Sequence, residues 1–506
     1  MEVHKVRVHP AAVRLPKEAQ LTWKLAAFAV SAAGAGVDAD VAEMVACRIV
    51  DNAAVALAAI DRPPVAAARA MALAHPRAGG ATLLGLPTST TVHAEWAAWA
   101  NGTAARELDW HDTFLAAEYA HPGDNIPPLI AVAQQKGVNG ARLLAAIAAA
   151  YEVHVGLVKG ISLHAHKKDH VGHLAPAIAA GLGTLLGLPP TVVYHALNQA
   201  VHLAFATRQS RKGQITSWKA SAPAWAGKLA IEAVDRAMRG EGAPNPIYEG
   251  EDGVIAWMLG GREAEYAVPL PASGERPRAI LETYPKAHSA EYQAQALIDL
   301  AFELRRQLPP GALARVREVV LHTSHHTHAV IGSGSNDPEK YDPDASRETL
   351  DHSVMYILAV ALEDGRWHHV DSYRPERAHR DSTIALWRKI RTVEDPVWTE
   401  RYHDPDPGRK AFGGRVDLLL DDGAAVSAER LVADAHPNGR SPWRWPDYGE
   451  KLAQLTEGRL ARDARDEFLG LASRLGRLGA EEVRRLNPAL PPGSVTPDRP
   501  DGRGIF

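Results

Sequence analysis

Between Asp109 and Asn125 the chain gathers four carboxylates (Asp109, Asp112, Glu118 and Asp124), two imidazoles (His111 and His121) and the Thr113 hydroxyl. An ordinary surface loop scatters such groups, and an ordinary core excludes them because a buried charge must be paired or hydrogen-bonded. Dense acid and base groups between alanine-rich segments point instead to proton transfer on a small polar substrate.

Other segments carry complementary chemistry. In His164-Ala-His-Lys-Lys-Asp-His-Val-Gly-His173, a helix would set His166 and His170 at i and i+4 on one face, as a zinc site needs. Lys167 stands where a metalloprotease helix has its glutamate base, so the segment reads better as anion-binding, proton-transferring or simply satisfied histidines. The run from Thr207 to Lys219 holds Arg208, Arg211, Lys212 and Lys219 among hydroxyls and a glycine, suited to a carboxylate or phosphate but without P-loop spacing. A solvated basic loop is the alternative, against which Trp218 beside Lys219 suggests partial burial. The run Thr323-Ser-His-His-Thr-His328 follows a predicted strand, and if extended it turns His326 and His328 to one side and His325 to the other. Asp344 to Ser353 offers capping residues to a helix. Tyr284-Pro-Lys-Ala-His-Ser289 lies where the texture of the chain changes.

The elements that must position these groups come in two textures. From Leu21 to Gly260 the pattern is alanine-rich and helical, with breaks at Asp61–Pro64, Pro76–Gly80, Pro122–Gly123, Gly137–Gly140 and Leu188–Pro190. Gly140 to Leu163 is apolar on nearly every side and predicts a central helix. From Ala279 the pattern becomes mixed. It predicts a strand over Ala314–Ser324, a helix over Glu348–Gly365, and strands Arg415–Leu420 and Ala424–Leu431 joined by the Asp421-Asp422-Gly423 turn. The expected architecture is mostly α with an α+β part: a large all-helical domain from residues 1–276 and 437–506, and a smaller inserted α+β domain at 277–436. A Pro/Gly-rich tail closes the chain.

Composition narrows the function. The 506 residues carry 56 Lys and Arg against 60 Asp and Glu, so no global field favours nucleic acid or an anionic membrane, and anion affinity must be local. Cys47 is the only cysteine, which excludes an intrachain disulfide framework and a cysteine-ligated cluster. Met1 to Gln20 has no apolar stretch of the secretory kind, and the apolar runs Leu25–Val37 and Leu143–Tyr151 are shorter than the roughly 20 residues that span a bilayer. A cytoplasmic protein without nucleic-acid or membrane partners is expected.

Removing a proton beside a carboxylate requires a base, cations to stabilise charge spreading into that carboxylate, and an acid for a departing hydroxyl. The clusters supply all three. A histidine-based metal hydrolase using His164, His166, His170 and His173, and a non-catalytic binding protein, are the rival readings.

The same residues carry a resemblance. Leu108-Asp-Trp-His-Asp-Thr-Phe-Leu-Ala-Ala-Glu118, His121-Pro-Gly-Asp-Asn125, Lys168-Asp-His-Val171, Ser217-Trp218 and Arg347-Glu-Thr-Leu-Asp-His-Ser353, in order along nearly the whole chain, are similar to the MmgE/PrpD family. The resemblance implies a homodimer acting without metal or other cofactor on a small tricarboxylate. Its implied reaction is elimination of water from 2-methylcitrate, and in some members from citrate, in propionate breakdown. Relatives decarboxylate or epimerise related carboxylates. It further implies catalytic roles for Asp109, Thr113, His121, Asp169 and His170, and substrate binding by His166, Arg208, Arg211, Lys212, Lys219 and Lys286. His121 or Asp109 would transfer the carbon-bound proton, Thr113 would bond a carboxylate, and His170, oriented by Asp169, would protonate the leaving hydroxyl. One departure stands out: where the family often has a lysine before the junction proline this chain has Leu281 and Glu282, so Lys286 is expected to substitute from beyond Pro285.

Overall fold

The computed structural model describes residues 1–272, 274–495 and 504–505. The expected tail falls mostly outside the described residues. Alanine-rich helices build the larger apolar core, centred on Gly140–Gly160. Asn139 caps that helix, its side chain accepting from the Arg142 N–H at 3.1 Å. Gly137 and Gly187, both at positive φ, end the helices Ile126–Lys136 and Leu174–Leu186. Small residues set the spacing: a Cβ on Gly181 would lie 2.8 Å from the Ala150 Cβ. Gly140–Gly160 is long and apolar enough to cross a membrane, which the shorter run Leu143–Tyr151 did not suggest. Its flanks are almost wholly covered by neighbouring helices, as a core helix requires.

Several strands escape sequence reading in this part, among them the short pairs Pro76–Thr82 with Thr91–Val92 and Phe114–Leu115 with Tyr119–Ala120. Glu2–Arg7 pairs antiparallel with Glu265–Leu270, two stretches far apart in the chain. The second lies across the central helix, where a Cβ on Gly156 or Gly160 would strike backbone oxygens at 2.6 Å.

A separate apolar core holds the α+β part. Its four-stranded sheet runs Ala425–Arg430, Gly414–Leu420, Val316–Thr323, Ile390–Glu394, the last pair parallel and the others antiparallel. The Asp-Gly hairpin and the strand after Ala314 form as expected, whereas Ile390–Glu394 was not foreseen. Helices Gln295–Gln307 and Val354–Asp364 pack in this core. The chain is therefore mostly helical with a smaller α+β part.

The predicted helix Glu348–Gly365 is instead two, Arg347–Leu350 and Val354–Asp364. Ser353 forces the break: its Oγ accepts from the Tyr356 N–H at 3.2 Å, capping the second helix, and donates to the Lys340 carbonyl at 2.7 Å. His325–Val330 is likewise a short helix, not extended chain, because the Ser324 hydroxyl caps it at Thr327. His326 and His328 therefore diverge. His326 turns toward Tyr119, His164 and Tyr402, and His328 toward Thr392.

Helices Trp445–Leu455 and Arg462–Ser473 return to the larger core. Fully buried Arg48 fastens the crossing. It donates to the Tyr448 hydroxyl at 2.8 Å and the Thr283 carbonyl at 2.9 Å, and its Nε lies 3.3 Å from Asp112. Replacing Arg48 with Ala leaves the Asp112 carboxylate buried without its cation, so a loss of about 3–5 kcal/mol is expected in urea unfolding. A variant within about 0.5 kcal/mol of the parent would contradict this role.

Candidate active site

The acidic loop is shaped by part of its own polar set. Asp112 accepts from the Gly123 N–H at 2.8 Å and the Tyr151 hydroxyl at 3.0 Å, Asp124 bonds His111 at 2.9 Å, and Asn125 donates to the Pro122 carbonyl at 2.8 Å. A Cβ on Gly123 would meet Asp112 Oδ1 at 2.6 Å, so the turn needs glycine there. Thr113 forms an antiparallel bridge with Tyr284, with N···O distances of 3.0 and 2.7 Å. That bridge binds the loop to the junction segment bearing Lys286.

Asp109 follows the helix Ala94–Arg106 in the left-handed region, with φ 49°. Its carboxylate lies 2.8 Å from Lys286 Nζ, 3.1 Å from Lys219 Nζ and 3.5 Å from Arg106 Nη1, all essentially buried. Burial alone would raise the Asp109 pKa, but Lys219, Lys286 and Arg106 outweigh it and hold the carboxyl well below its ordinary value. Lys219 also donates to both oxygens of Asp351 at 2.8 Å, and Arg347 reaches the same carboxylate at 3.2 Å. Arg106, Lys219, Lys286 and Arg347 thus face Asp109 and Asp351 with positive charge in excess. Glu291, which acts on Lys286 from nearby, is pushed up to about 7 by burial.

His121 lies against this group, its Nε2 3.9 Å from Asp109. Its Nδ1 is 3.0 Å from the Asp112 carbonyl and 3.1 Å from Thr113 Oγ1. A carbonyl only accepts, so Nδ1 carries the hydrogen and Nε2 the lone pair. Burial first, then Arg106 and Lys286, push the His121 pKa well below the usual imidazole value and leave it neutral. This is a base prepared to accept a proton at Nε2. With the hydrogen on Nδ1, the Thr113 hydroxyl oxygen can only accept from His121, so its own O–H, expected to bond a substrate carboxylate, is not spent on the ring.

His170 is buried, with its ring centroid 5.6 Å from that of His121, and among the described residues neither of its nitrogens has a hydrogen-bond partner. Asp169 does not orient it by a hydrogen bond, although Nδ1 and Oδ1 are 3.2 Å apart. Its carboxylate instead accepts from Ser210 at 2.5 Å and from Arg211 at 3.2 and 3.4 Å. Arg211 also donates to the Lys219 carbonyl at 3.2 Å, so this pair positions the start of helix Trp218–Met238 and hence Lys219. Burial outweighs Asp169 and keeps His170 well below its ordinary pKa.

Other expected ligands lie elsewhere. Left-handed Lys167 separates short turns at His164–His166 and His170–His173, so no i, i+4 face forms, and His166 meets Tyr266 Oη at 2.9 Å. Lys212 is exposed, and Trp218, expected to be partly buried, is 47% exposed. Arg208 donates to Tyr119 Oη at 3.2 Å, and that ring is 5.0 Å from His170, leaving the guanidinium at the rim. Lys286, expected to substitute for the missing upstream lysine, reaches Asp109 at 2.8 Å, while Glu282 pairs with Lys159 at 2.7 Å.

Arg106, Asp351, His352 and Tyr119 were not singled out. A cation three residues before Asp109 at a helix end was a readable sign of Arg106, and the Arg347–Ser353 motif contained Asp351 but reads equally well as a cap. Asp109, Asp351 and His352 are close enough to share a cation. The Lys219 ammonium takes that position, 2.8, 3.1 and 3.4 Å from Asp351, Asp109 and His352.

Fold and site define a buried acid–base centre lined with cations, set where a helical core meets an α+β core. The patterns of the MmgE/PrpD N-terminal domain and the MmgE/PrpD C-terminal domain match residues 23–267 and 288–476, and the chain belongs to this family. It is 26% identical over 390 residues to the 2-methylcitrate dehydratase, mitochondrial, of Yarrowia lipolytica, covering 74% of this chain and 72% of that one. It is 27% identical over 387 residues to the 2-methylcitrate dehydratase of Escherichia coli strain K12, covering 72% and 75%. The probable 2-methylcitrate dehydratase of Saccharomyces cerevisiae is 27% identical over 373 residues, covering 69% and 68%.

The buried imidazoles fix a pH dependence. Unfolded histidines titrate near about 6.5, whereas folded His121 and His170 resist protonation, so below about pH 6.5 the unfolded chain binds more protons and stability falls. The depressed carboxyls of Asp109, Asp169 and Asp351 add a further loss as pH falls below about 4. Urea unfolding across this range is expected to show the first decline; equal stability at about pH 7 and 5 would contradict it.

Proposed function

We propose that this chain is a cytoplasmic, homodimeric hydro-lyase that eliminates water from 2-methylcitrate to give 2-methyl-cis-aconitate, with citrate as a second substrate and with side chains alone supplying the chemistry. The observation that carries this reading is a neutral His121, its base nitrogen free, beside buried Lys219, Lys286 and Arg106. The 2-methylcitrate dehydratases among the relatives supply the choice of substrate.

Nε2 of His121 takes the proton from the carbon next to a carboxylate, and the electron pair spreads into that carboxylate. Lys219, Lys286 and Arg106 stabilise the resulting charge in a site where water does not screen it. The pair returns to form the double bond as the neighbouring C–O bond breaks. The departing oxygen receives the proton held at His121 and leaves as water. His170, held neutral, serves as a hydrogen-bond partner for that hydroxyl rather than as an imidazolium acid. Asp109, held ionised between cations, is a poor base; it steadies the His121 imidazolium and fixes the lysines. Arg208 at the rim meets the remaining carboxylate.

Metal-stripped protein incubated with 2-methylcitrate, citrate, malate and cis-aconitate is expected to yield the alkene from the first two, read by mass spectrometry. Release of carbon dioxide, inversion without elimination, or no turnover would overturn the assignment. His121→Ala is expected to lower kcat by about 10² to 10⁴-fold with the fold retained by circular dichroism. Near-normal turnover would remove His121 from the mechanism.

A further inference from the structure

Lys219 and Lys286 lie beside Asp109 and the base, and Arg208 stands farther out. Tyr119 links the two places. It belongs to the short hairpin that follows Thr113, and its ring centroid is 5.0 Å from that of His170, which is 5.6 Å from that of His121. Its hydroxyl accepts from Arg208 Nε at 3.2 Å, because a guanidinium only donates. Glu118 fixes Tyr119 from behind, accepting from the Tyr119 N–H at 3.1 Å and from the His164 N–H. The Arg208 backbone is tied down as well, its N–H donating to the Lys167 carbonyl at 2.9 Å.

With Nε spent on Tyr119, Arg208 keeps the edge formed by Nη1 and Nη2, which meets a carboxylate through two parallel bonds. Nothing in the protein uses that edge. Arg208 is half-buried, and its Nη nitrogens neither meet a partner among the described residues nor are sealed from solvent. No carboxylate among the described residues comes within ion-pairing distance of it. Glu118 feels its charge, but the Glu118 oxygens are taken by Tyr119, His164 and Ser162, and burial pushes this carboxyl up to about 7. Other neighbours carry no negative charge: Arg208 adds to the burial that depresses His164, His326 and Lys340.

On the reading of the centre as a tricarboxylate site, we propose that Tyr119 is a positioning residue for specificity. By holding Arg208 Nε it presents the guanidinium edge to an outer carboxylate of the substrate, and so favours tricarboxylates over dicarboxylates.

The probes are tricarballylate and methylsuccinate, the same skeleton with one outer carboxylate replaced by hydrogen, each titrated calorimetrically into the full chain. The parent is expected to bind tricarballylate about tenfold or more tightly than methylsuccinate, and Arg208→Met should abolish that preference. Tyr119→Phe, which removes one oxygen, should weaken tricarballylate by about three- to tenfold and leave methylsuccinate unchanged. Combining it with Arg208→Met should add no further loss, since Tyr119 acts through Arg208. Arg208→Lys keeps the charge but offers no Nε, so it should show the same selective loss and serves if Tyr119→Phe fails to fold. Equal weakening of both probes by Tyr119→Phe, an additive loss in the double variant, or no preference in the parent would overturn the proposal. Neither probe has a hydroxyl to lose, so these results are separate from whether the chain dehydrates 2-methylcitrate.

Discussion

A carboxylate buried among three cations governs the rest of the molecule. Asp109 is 1% exposed, and without Lys219, Lys286 and Arg106 its charge would carry a desolvation penalty of several kcal/mol. Each cation comes from a different stretch: Arg106 from the helix before the loop, Lys219 from the start of helix Trp218–Met238, Lys286 from the junction between the two cores. Satisfying one carboxylate therefore fixes three segments relative to one another. The supports behind them follow the same logic, with Asp351 on Lys219, the Lys286 carbonyl accepting from Lys451, and Arg211 tying Asp169 to the Lys219 backbone.

The burial that makes these ion pairs necessary also sets the acid–base state of the site. In low dielectric an isolated imidazolium is costly, and cations nearby make it costlier, so His121 stays neutral and basic. The hydrogen bond from Nδ1 to the Asp112 carbonyl aims the free nitrogen, and Asp112 is itself held by Arg48, Tyr151 and Gly123. Arg48 thus links the base to the Thr283 crossing and to the returning C-terminal helix.

Local pattern carried much of this into the sequence. The alanine-rich helices, the Val316–Thr323 strand and the Asp-Gly hairpin are decided within a few residues and were legible. Asp109, Thr113, His121, Lys219 and Lys286 do meet, while Asp112, Asp124 and Asn125 hold the loop. The failures are contacts between distant segments. Nothing near Glu2–Arg7 announces its partner at Glu265–Leu270, and the break before Ser353 depends on a bond to Lys340. His166 and Lys212 looked like ligands because charge and spacing are visible in a sequence and direction is not. Left-handed Lys167 turned one histidine away from the site, and the Arg208–Arg211 turn left Lys212 in solvent.

The claim that this buried cation group is built to receive carboxylates is tested most directly with tricarballylate, a tricarboxylate without the hydroxyl that elimination requires. Calorimetry should show saturable binding at neutral pH. Lys219→Met and Lys286→Met should each weaken it by about tenfold or more, as loss of a charge-assisted hydrogen bond demands. Binding of equal strength in the parent and both folded variants would contradict the account.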